Sequence, residues 1–422
     1  MPSVTWQILN KGASRVEGGG GIKICDLTQF YSPVSGGVKR YLQEKAAYVH
    51  EHTAEDRHIL IVPGPADGMV EDGRTRTYTI KSPLVSRTSR YRALLRLEAV
   101  ERILEREMPD VIESGDPYQV AWKAIASGEA LRIPVIGFYH SHFPEAYLRS
   151  VGKFFGKTAT EFVMDLSRRY VRNLYNRFAR TLVPSPALGG LLKDWGVENT
   201  ENIDLGVNTA IFKPEPDDSV ETREKLGIPP GRVLLLYVGR LASEKNTRVL
   251  FEAFHLLNRK HASRFHLLAV GDGNQRGHLQ DLQSATGAVT WFPYCEDMQQ
   301  LARYYRAADL FVHPGVQETF GLVALESQAS GTPVVGIAGS YMDRIIFNSQ
   351  QDWARENSSP ALAQAILEAA EAHLACTGRA TSRTVRELYS WTSVFDRLFA
   401  IYRNVVKDYR VQPSPWPARK TS

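Results

Sequence analysis

Short apolar runs alternate with stretches of helical periodicity along most of the chain. That alternation is typical of parallel sheets covered by helices on both faces, so the predicted fold class is α/β. The helix predicted after the first run carries an apolar stripe from Val38 to Val49. The predicted strands lie near Ile22–Leu27, His58–Val62, Arg76–Ile80, Asp110–Glu113, Pro134–Tyr139 and Thr181–Pro184 in the first half, and at Val233–Val238, Phe265–Val270, Val289–Phe292, Leu310–Val312 and Pro333–Gly336 in the second.

The order of these elements predicts two α/β domains of nearly equal size. A segment rich in proline and charge, from Gly206 to Arg232, is predicted to connect them. The first domain is assigned to residues 22–212 and the second to residues 213–392, with a ligand-binding cleft expected between them. Residues 1–21 are predicted to be a flexible lead-in, and residues 393–422 a final helix followed by an irregular tail.

Composition narrows the class of protein. Of the 422 residues, 43% are hydrophobic and 23% are charged, which excludes a disordered chain. The cysteines at positions 25, 295 and 376 are far apart and predict neither a disulfide framework nor a metal site. A net charge of +5 is too small for a protein whose main partner is nucleic acid. Since no segment has the apolar length of a transmembrane helix or the core of a signal peptide, a cytoplasmic location is expected.

The segment from Leu310 to Gly336 predicts an anion-binding junction. A strand ends near His313, a loop follows, and a helix is predicted to begin near Phe320. The first amides of a helix have no intrahelical acceptor, and the helix dipole favours a phosphate group there. The residues predicted to bind the anion at this junction are Thr319, Phe320, Gly321 and Leu322.

Two carboxylates flank this junction. Glu318 precedes the helix, and Glu326 lies about two turns into it. Both are acceptors for hydroxyl groups, so one carboxylate can reach a sugar while the other meets a ribose. An isolated pair of this kind is more often two solvated helix residues, and only the surrounding motifs favour the functional interpretation.

Four segments resemble, in order and approximate spacing, the motifs of the family-four retaining glycosyltransferases, which have the GT-B fold. The resemblance extends from Ile22 to Tyr402. It implies two Rossmann-like domains with parallel sheets facing across a cleft, in which the second binds a nucleotide-sugar and the first an acceptor. It also implies that Glu318 orients the transferred sugar, that Glu326 binds the ribose, and that the last helices return to the first domain. The segments are YVGRLASEKN at Tyr237–Asn246, VGDGN at Val270–Asn274, Glu318 and Glu326 as E-x7-E, and ASGTPVVG at Ala329–Gly336.

Gly239, Arg240 and Lys245 follow a predicted strand at its carboxyl end, where open α/β sheets place ligands. Two fixed cations there can stabilise a departing diphosphate. No Asp-x-Asp occurs in the chain. That absence predicts transfer without a metal ion, and no other cofactor is expected beside the nucleotide-sugar substrate.

In the first half, Gly36 and Gly37 open the first helix and resemble the family's Gly-Gly loop, which faces the donor phosphates and the acceptor. His140 ends a predicted strand, and by resemblance it is the active-site histidine that touches the transferred sugar. Glu113 and Asp116 also follow a strand and are weaker candidates for binding acceptor hydroxyls, since acidic turn residues are common there.

The segment from Ala146 to Arg180 carries eight basic and two acidic side chains. Arginines alternate in it with an apolar stripe that runs from Phe162 to Phe178. Two interpretations fit equally well: a helix on an anionic membrane surface, and a core-facing helix with solvated arginines. The first would place the protein peripherally on the inner face of the membrane.

The predicted function is therefore metal-independent retaining transfer of a hexose from a nucleotide-sugar to an acceptor hydroxyl of a lipid or carbohydrate. A UDP-sugar is the expected donor, because it is the commonest in the family, and GDP-mannose is the alternative. Ser340 stands where the family usually has a second glycine, so the sugar itself is not predicted. A sugar-nucleotide-binding protein without turnover and a sugar-nucleotide epimerase of the same architecture are the other hypotheses.

Overall fold

The computed structural model describes residues 20–31, 37–85, 90–140, 161–215, 218–316, 320–339, 344–347, 353–372 and 375–411. Several predicted features lie outside the described residues: the lead-in up to residue 19, the tail beyond residue 411, Gly36, Glu318, Thr319 and Ser340. The first half of the basic segment, up to residue 160, also lies outside them.

In the described residues, the first domain is built on an eight-stranded sheet. Its strands are β1 (Lys23–Leu27), β2 (Arg57–Gly64), β3 (Gly68–Asp72), β4 (Thr75–Lys81), β5 (Val111–Ser114), β6 (Val135–Phe138), β7 (Arg180–Val183) and β8 (Thr200–Asn202). Its helices are α1 (Gly37–His52), α2 (Leu97–Glu107), α3 (Gln119–Leu131), α4 (161–175) and α5 (Pro186–Asp194). The strand order is β3-β4-β2-β1-β5-β6-β7-β8, and only the edge pair β3–β4 is antiparallel.

The second domain has a smaller, wholly parallel sheet of five strands in the order β11-β10-β9-β12-β13. These are β9 (Val233–Val238), β10 (Phe265–Val270), β11 (Val289–Phe292), β12 (Leu310–Val312) and β13 (Val334–Val335). The helices of this domain are α6 (Asp218–Lys225), α7 (Thr247–Lys260), α8 (Arg276–Thr286), α9 (Met298–Ala307), α10 (Leu322–Ala329), α11 (Ser359–Glu371) and α12 (Ala375–Tyr389).

Burial explains why the central strands read as continuous apolar runs. Every residue of β5 and β6 is buried, because helices cover both faces of the sheet. Local signals fix the helix starts: α5 begins at Pro186 because Ser185 accepts a hydrogen bond from the amide of Leu188 and the proline presets the first turn.

The last helix, α13 (Trp391–Val411), leaves the second domain and packs on α1 of the first. The ring of Tyr48 lies 4.9 Å from that of Phe399, and the Tyr48 hydroxyl donates to Asp396 at 2.5 Å. Residues of both sheets and of α13 belong to one continuous apolar core. The two domains are therefore packed together through this helix.

The predicted α/β class and two-sheet architecture are confirmed. In the second domain β9 to β12 have the limits read from the sequence. The apolar pattern does not predict β3, since all five of its residues are exposed, or the three-residue β8.

Candidate active site

Two loops at the carboxyl ends of neighbouring strands lie in backbone contact in the second domain. Gly239 follows β9 and Gly271 follows β10, with φ angles of +154° and +146°. A Cβ atom on Gly271 would lie 1.8 Å from the carbonyl oxygen of Gly239. The amide of Gly239 donates to the carbonyl of Val270 at 2.9 Å. Contact this close leaves no room for a side chain at Gly271. Together with the positive φ angles, it explains why both motifs have glycine at these positions.

Both predicted cations lie in the loop after β9. The Arg240 side chain is 65% exposed, and its Nη1 lies 3.3 Å from Oε1 of Glu244. An exposed pair of this kind is weak and leaves the guanidinium available to a ligand. Lys245 ends a short 3₁₀ helix, Ser243–Lys245, and is partly exposed.

Asn246 joins this loop to the loop that leads to α10. It adopts a left-handed conformation, with φ of +56°. Its Nδ2 donates to the carbonyl oxygen of Pro314 at 2.9 Å and to Oδ1 of Asn357 at 2.7 Å. The structure thus brings the Arg240–Lys245 loop and the approach to α10 to the same edge of the sheet.

The junction before α10 faces the first domain. Gly321, with φ of +83°, precedes the helix, which begins at Leu322. The start expected near Phe320 is too early, because the left-handed glycine interrupts the helical backbone and the Phe320 side chain is buried in the core. A Cβ atom on Gly37, the first residue of α1, would lie 3.6 Å from Cδ1 of Leu322. The starts of α1 and α10 therefore lie opposite each other across the cleft.

Glu326 is 2% exposed and is held by both domains. Its Oε1 forms an ion pair with Nη1 of Arg40 on α1. Its Oε2 accepts a hydrogen bond of 3.0 Å from the hydroxyl of Tyr305 on α9. The carboxylate expected to bind a ribose is therefore already oriented by two protein groups.

His140 follows β6 at the edge of a small crevice lined by Thr28, Val38 and Gly115 among others. Its ring stacks on Phe138 with 3.8 Å between centroids and meets the edge of Tyr41 at 5.3 Å. Burial and the nearby charge of Lys45 lower the pKa of His140 to about 3. The imidazole is neutral near pH 7 and can exchange hydrogen bonds with a sugar without adding charge.

Behind the crevice lies a network of buried charges. Lys45 is wholly buried, and its ammonium group lies 2.9 Å from Oδ1 of Asp26, 3.2 Å from Oε1 of Glu113 and 2.8 Å from the Tyr402 hydroxyl. His58 Nε2 lies 2.6 Å from the other oxygen of Asp26. Despite its burial, the pKa of Asp26 is lowered by Lys45 and by the hydrogen bond to His58. These groups connect β1, β2, β5, α1 and α13.

The two acidic candidates of the first domain serve internal contacts. Glu113 is 1% exposed, and burial raises its pKa to about 7. Asp116 is 2% exposed, accepts hydrogen bonds from the amides of Gln29 and Tyr118, and has a pKa raised by burial to about 6. Their carboxylates hold loops and α13 in place, which favours the structural interpretation over acceptor binding.

The described part of the basic segment divides into two halves. On α4, Phe162 is 70% exposed and Leu166 is 58% exposed. About two turns further on the stripe turns inward, since Leu174 and Phe178 are buried in the core. No helix within the described residues has the length and low charge needed to cross a bilayer.

Three functional candidates emerge only from the structure: Arg40, Lys45 and Arg344. Arg344 lies 2.6 Å from Oδ1 of Asp204 in the first domain, and its guanidinium lies over the ring of Phe320 at 5.4 Å. Lys45 had a sequence signal, because it falls one turn after Tyr41 on the apolar stripe of α1. Nothing in the sequence marks Arg40 or Arg344 apart from other arginines.

Two family models match the chain. "Glycosyltransferase Family 4" matches residues 35–211, and "Glycosyl transferases group 1" matches residues 218–376. The first match covers β2 to β8 of the first sheet, and the second covers all five strands of the second sheet.

Sequence relatives include a GDP-mannose-dependent alpha-mannosyltransferase of Corynebacterium glutamicum, 29% identical over 70% of this chain and 69% of the relative. An alpha-monoglucosyldiacylglycerol synthase of Streptococcus pneumoniae is 30% identical over 62% of this chain and 58% of the relative. A GDP-mannose-dependent alpha-(1-6)-phosphatidylinositol dimannoside mannosyltransferase of Mycobacterium tuberculosis is 26% identical over 88% and 93%.

Solved structures share the fold. Sucrose-phosphate synthase from Thermosynechococcus elongatus superposes with a TM-score of 0.71 at 21% identity, covering 92% of this chain and all of that one. The Anabaena protein HepE in complex with UDP and glucose gives 0.69 at 18% identity, covering 90% and 99%.

Proposed function

This chain belongs to the family-four glycosyltransferases of the GT-B fold, and we propose that it transfers a hexose from a nucleotide-sugar to an acceptor hydroxyl with retention at the anomeric carbon. The observation that carries the proposal is the juxtaposition across the cleft. The start of α10 and Glu326 face α1, while the Arg240–Lys245 loop is tied to the same edge of the second sheet. The donor would lie along this edge, with the acceptor on the side of His140.

In the proposed reaction the acceptor oxygen bonds to the anomeric carbon as the bond from that carbon to the donor diphosphate breaks. The acceptor proton passes to the departing phosphate oxygen. Arg240 and Lys245 stabilise the negative charge that develops on the diphosphate, together with the first amides of α10. Because these cations are part of the chain, no metal ion is required in the proposal.

The remaining roles follow from position. Neutral His140 would hydrogen-bond the transferred sugar near the reacting bond. Glu326 would accept the ribose hydroxyls. Glu318, Thr319 and Gly36, outside the described residues, keep their predicted roles at the sugar and the phosphates.

Two nucleotide-sugars are candidate donors, and they differ in the nucleotide base. The family resemblance predicts a UDP-sugar, whereas two of the relatives above are GDP-mannose-dependent by name. A thermal-shift screen of UDP-, GDP- and ADP-sugars separates the candidates, because a ligand at about 100 times its dissociation constant stabilises the folded state by about 2.7 kcal/mol.

We further propose that the acceptor is a lipid and that the first domain meets an anionic membrane through the α4 face, defined as Phe162, Leu166 and Arg169. Two relatives have lipid-derived names, a monoglucosyldiacylglycerol synthase and a phosphatidylinositol dimannoside mannosyltransferase. Exposed apolar side chains beside an exposed arginine are the pattern of an interfacial helix. Peripheral attachment of this kind needs no membrane-spanning helix.

The experiment that tests the proposed function is product analysis. The protein is incubated with each nucleotide-sugar and with diacylglycerol or phosphatidylinositol vesicles, without added metal and with a chelator present. Mass spectrometry is expected to show one added hexose, and NMR to show the same anomeric configuration as in the donor. Inverted configuration would contradict retention, and hydrolysis alone or no reaction with any donor would contradict transfer to these acceptors.

A further inference from the structure

Arg40 reaches from the first domain to the carboxylate that is assigned to the donor ribose. It lies on α1 one turn after Gly37 and forms an ion pair with Glu326 on α10. Tyr305, on α9 of the second domain, donates to the other carboxylate oxygen at 3.0 Å. Each domain therefore supplies one of the two groups that hold Glu326.

The pairing has an energetic consequence. The side chains of Arg40 and Glu326 are only 25% and 2% exposed, and the loss of water around each charge is offset only when each ion finds its partner. Burial lowers the pKa of Arg40, while Tyr305, Glu44 and Tyr294 around it act in the opposite direction. Glu326 keeps a cationic partner from α1 only while the two domains are in contact.

An ionised carboxylate has about four lone-pair sites. Among the described residues, Arg40 and Tyr305 occupy one on each oxygen, and the other two are assigned here to the neighbouring hydroxyls of a ribose. We propose that Arg40 is a positioning residue that the first domain contributes to the nucleotide site of the second. It fixes Glu326 so that the two remaining sites meet the 2′- and 3′-hydroxyls.

This role rests on the proposed function, in which Glu326 binds the ribose. If Arg40 has this role, contact between the domains strengthens nucleotide binding, and nucleotide binding strengthens the contact by the same factor, since such coupling is reciprocal. An Arg40–Glu326 ion pair that only held the two domains together would have a different effect. Its loss would lower thermal stability but would leave the preference for ribose over deoxyribose unchanged.

The test measures that preference with nucleoside diphosphates. Calorimetric titration of the full chain with UDP, GDP and their 2′-deoxy counterparts gives a ratio of dissociation constants, deoxy over ribo. Five proteins are compared: wild type, Glu326→Gln, Arg40→Gln, Arg40→Lys and Arg248→Gln. The last is the matched control, because Arg248 pairs with Glu252 at 2.9 Å on the exposed side of α7.

We expect wild type and Arg248→Gln to share one ratio, clearly above one, for the nucleotide they bind. In Arg40→Gln the ribonucleotide should bind about tenfold more weakly, as expected for loss of a charge-assisted contact, and the ratio should fall toward one. Arg40→Lys keeps the positive charge but lacks the planar guanidinium that can form two parallel hydrogen bonds. Its ratio should therefore lie between those of Arg40→Gln and wild type. Should Arg40→Gln not fold, failure of Arg40→Lys to lower the ratio at all would contradict the role.

An unchanged ratio in Arg40→Gln would overturn the inference, even with a lower unfolding temperature. Glu326→Gln distinguishes this from failure of the proposed function. If Glu326→Gln loses the ribose preference while Arg40→Gln keeps it, the ribose site stands and the role of Arg40 is wrong. If wild type binds neither UDP nor GDP, the proposed function fails together with the inference.

Discussion

The ammonium group of Lys45 donates a 2.8 Å hydrogen bond to the hydroxyl of Tyr402, a residue 357 positions later in the chain. Lys45 lies on α1, which begins in the cleft at Gly37, and Tyr402 lies on α13, which returns from the second domain. The bond joins the buried charges of the first domain to the last helix. The position of α1, and with it the first domain's side of the cleft, therefore depends on the docking of α13.

Tyr402→Phe should destabilise the protein by about 1–3 kcal/mol, because it leaves buried Lys45 and Glu113 each without one partner. Chemical denaturation measures the free energy of unfolding. Tyr409→Phe is the control on the same helix, since that side chain is 37% exposed, and it should stay close to wild type. Equal stability of both variants would show that the network does not hold α13.

The success of the strand predictions has a physical basis. Val233–Val238 is an apolar run with a glycine directly after it, and burial in a parallel sheet requires such a run. β3 gives no such signal because its side chains face water. Lys45 lies on the apolar stripe of α1, but that position alone does not predict its burial, since the partners that allow it come from β1, β5 and α13. The pairing of Arg40 with Glu326 is likewise a product of domain packing, which no local pattern encodes.

Gly271→Ala should disrupt the two loops at the edge of the second sheet. The new Cβ would collide with the Gly239 carbonyl oxygen, and φ of +146° is unfavourable for alanine. We expect a loss of about 1–3 kcal/mol in stability and a raised KM for the donor. Gly277→Ala, with open space around it at the start of α8, should stay within about 1 kcal/mol of wild type. Matching KM values for wild type and Gly271→Ala would count against donor binding at this edge.

Asp116 predicts a specific pH dependence of stability. The pKa of its carboxyl group is about 6 in the folded protein, compared with 3.8 for an unperturbed aspartate, which we take for the unfolded chain. Between pH 3.8 and pH 6 the folded state therefore binds more protons than the unfolded state. Its contribution favours folding below pH 4 and is lost as the pH rises to 6. Asp116→Asn cannot titrate, so its free energy of unfolding relative to wild type should rise by about 2 kcal/mol from pH 4 to pH 7. A constant difference, measured by urea unfolding across this range, would show that Asp116 titrates normally.

The α4 face predicts binding to anionic vesicles. Phe162→Ser combined with Leu166→Ser removes two exposed apolar side chains, each expected to contribute about 1.5–3 kcal/mol when buried in the interface. Flotation with anionic vesicles should therefore recover far less of this variant than of wild type. Val220→Ser is the control, since Val220 is 68% exposed on α6 of the second domain. Equal recovery of all three proteins would contradict the proposed surface.

Turnover of Lys245→Ala tests the central claim, that cations of the chain stabilise the departing diphosphate. With the donor identified by the thermal-shift screen, kcat should fall about 10²- to 10³-fold, by analogy with the loss of one oxyanion donor. Arg248→Ala, three residues further on, serves as the exposed control and should keep wild-type kcat. A kcat for Lys245→Ala within twofold of wild type would contradict the account.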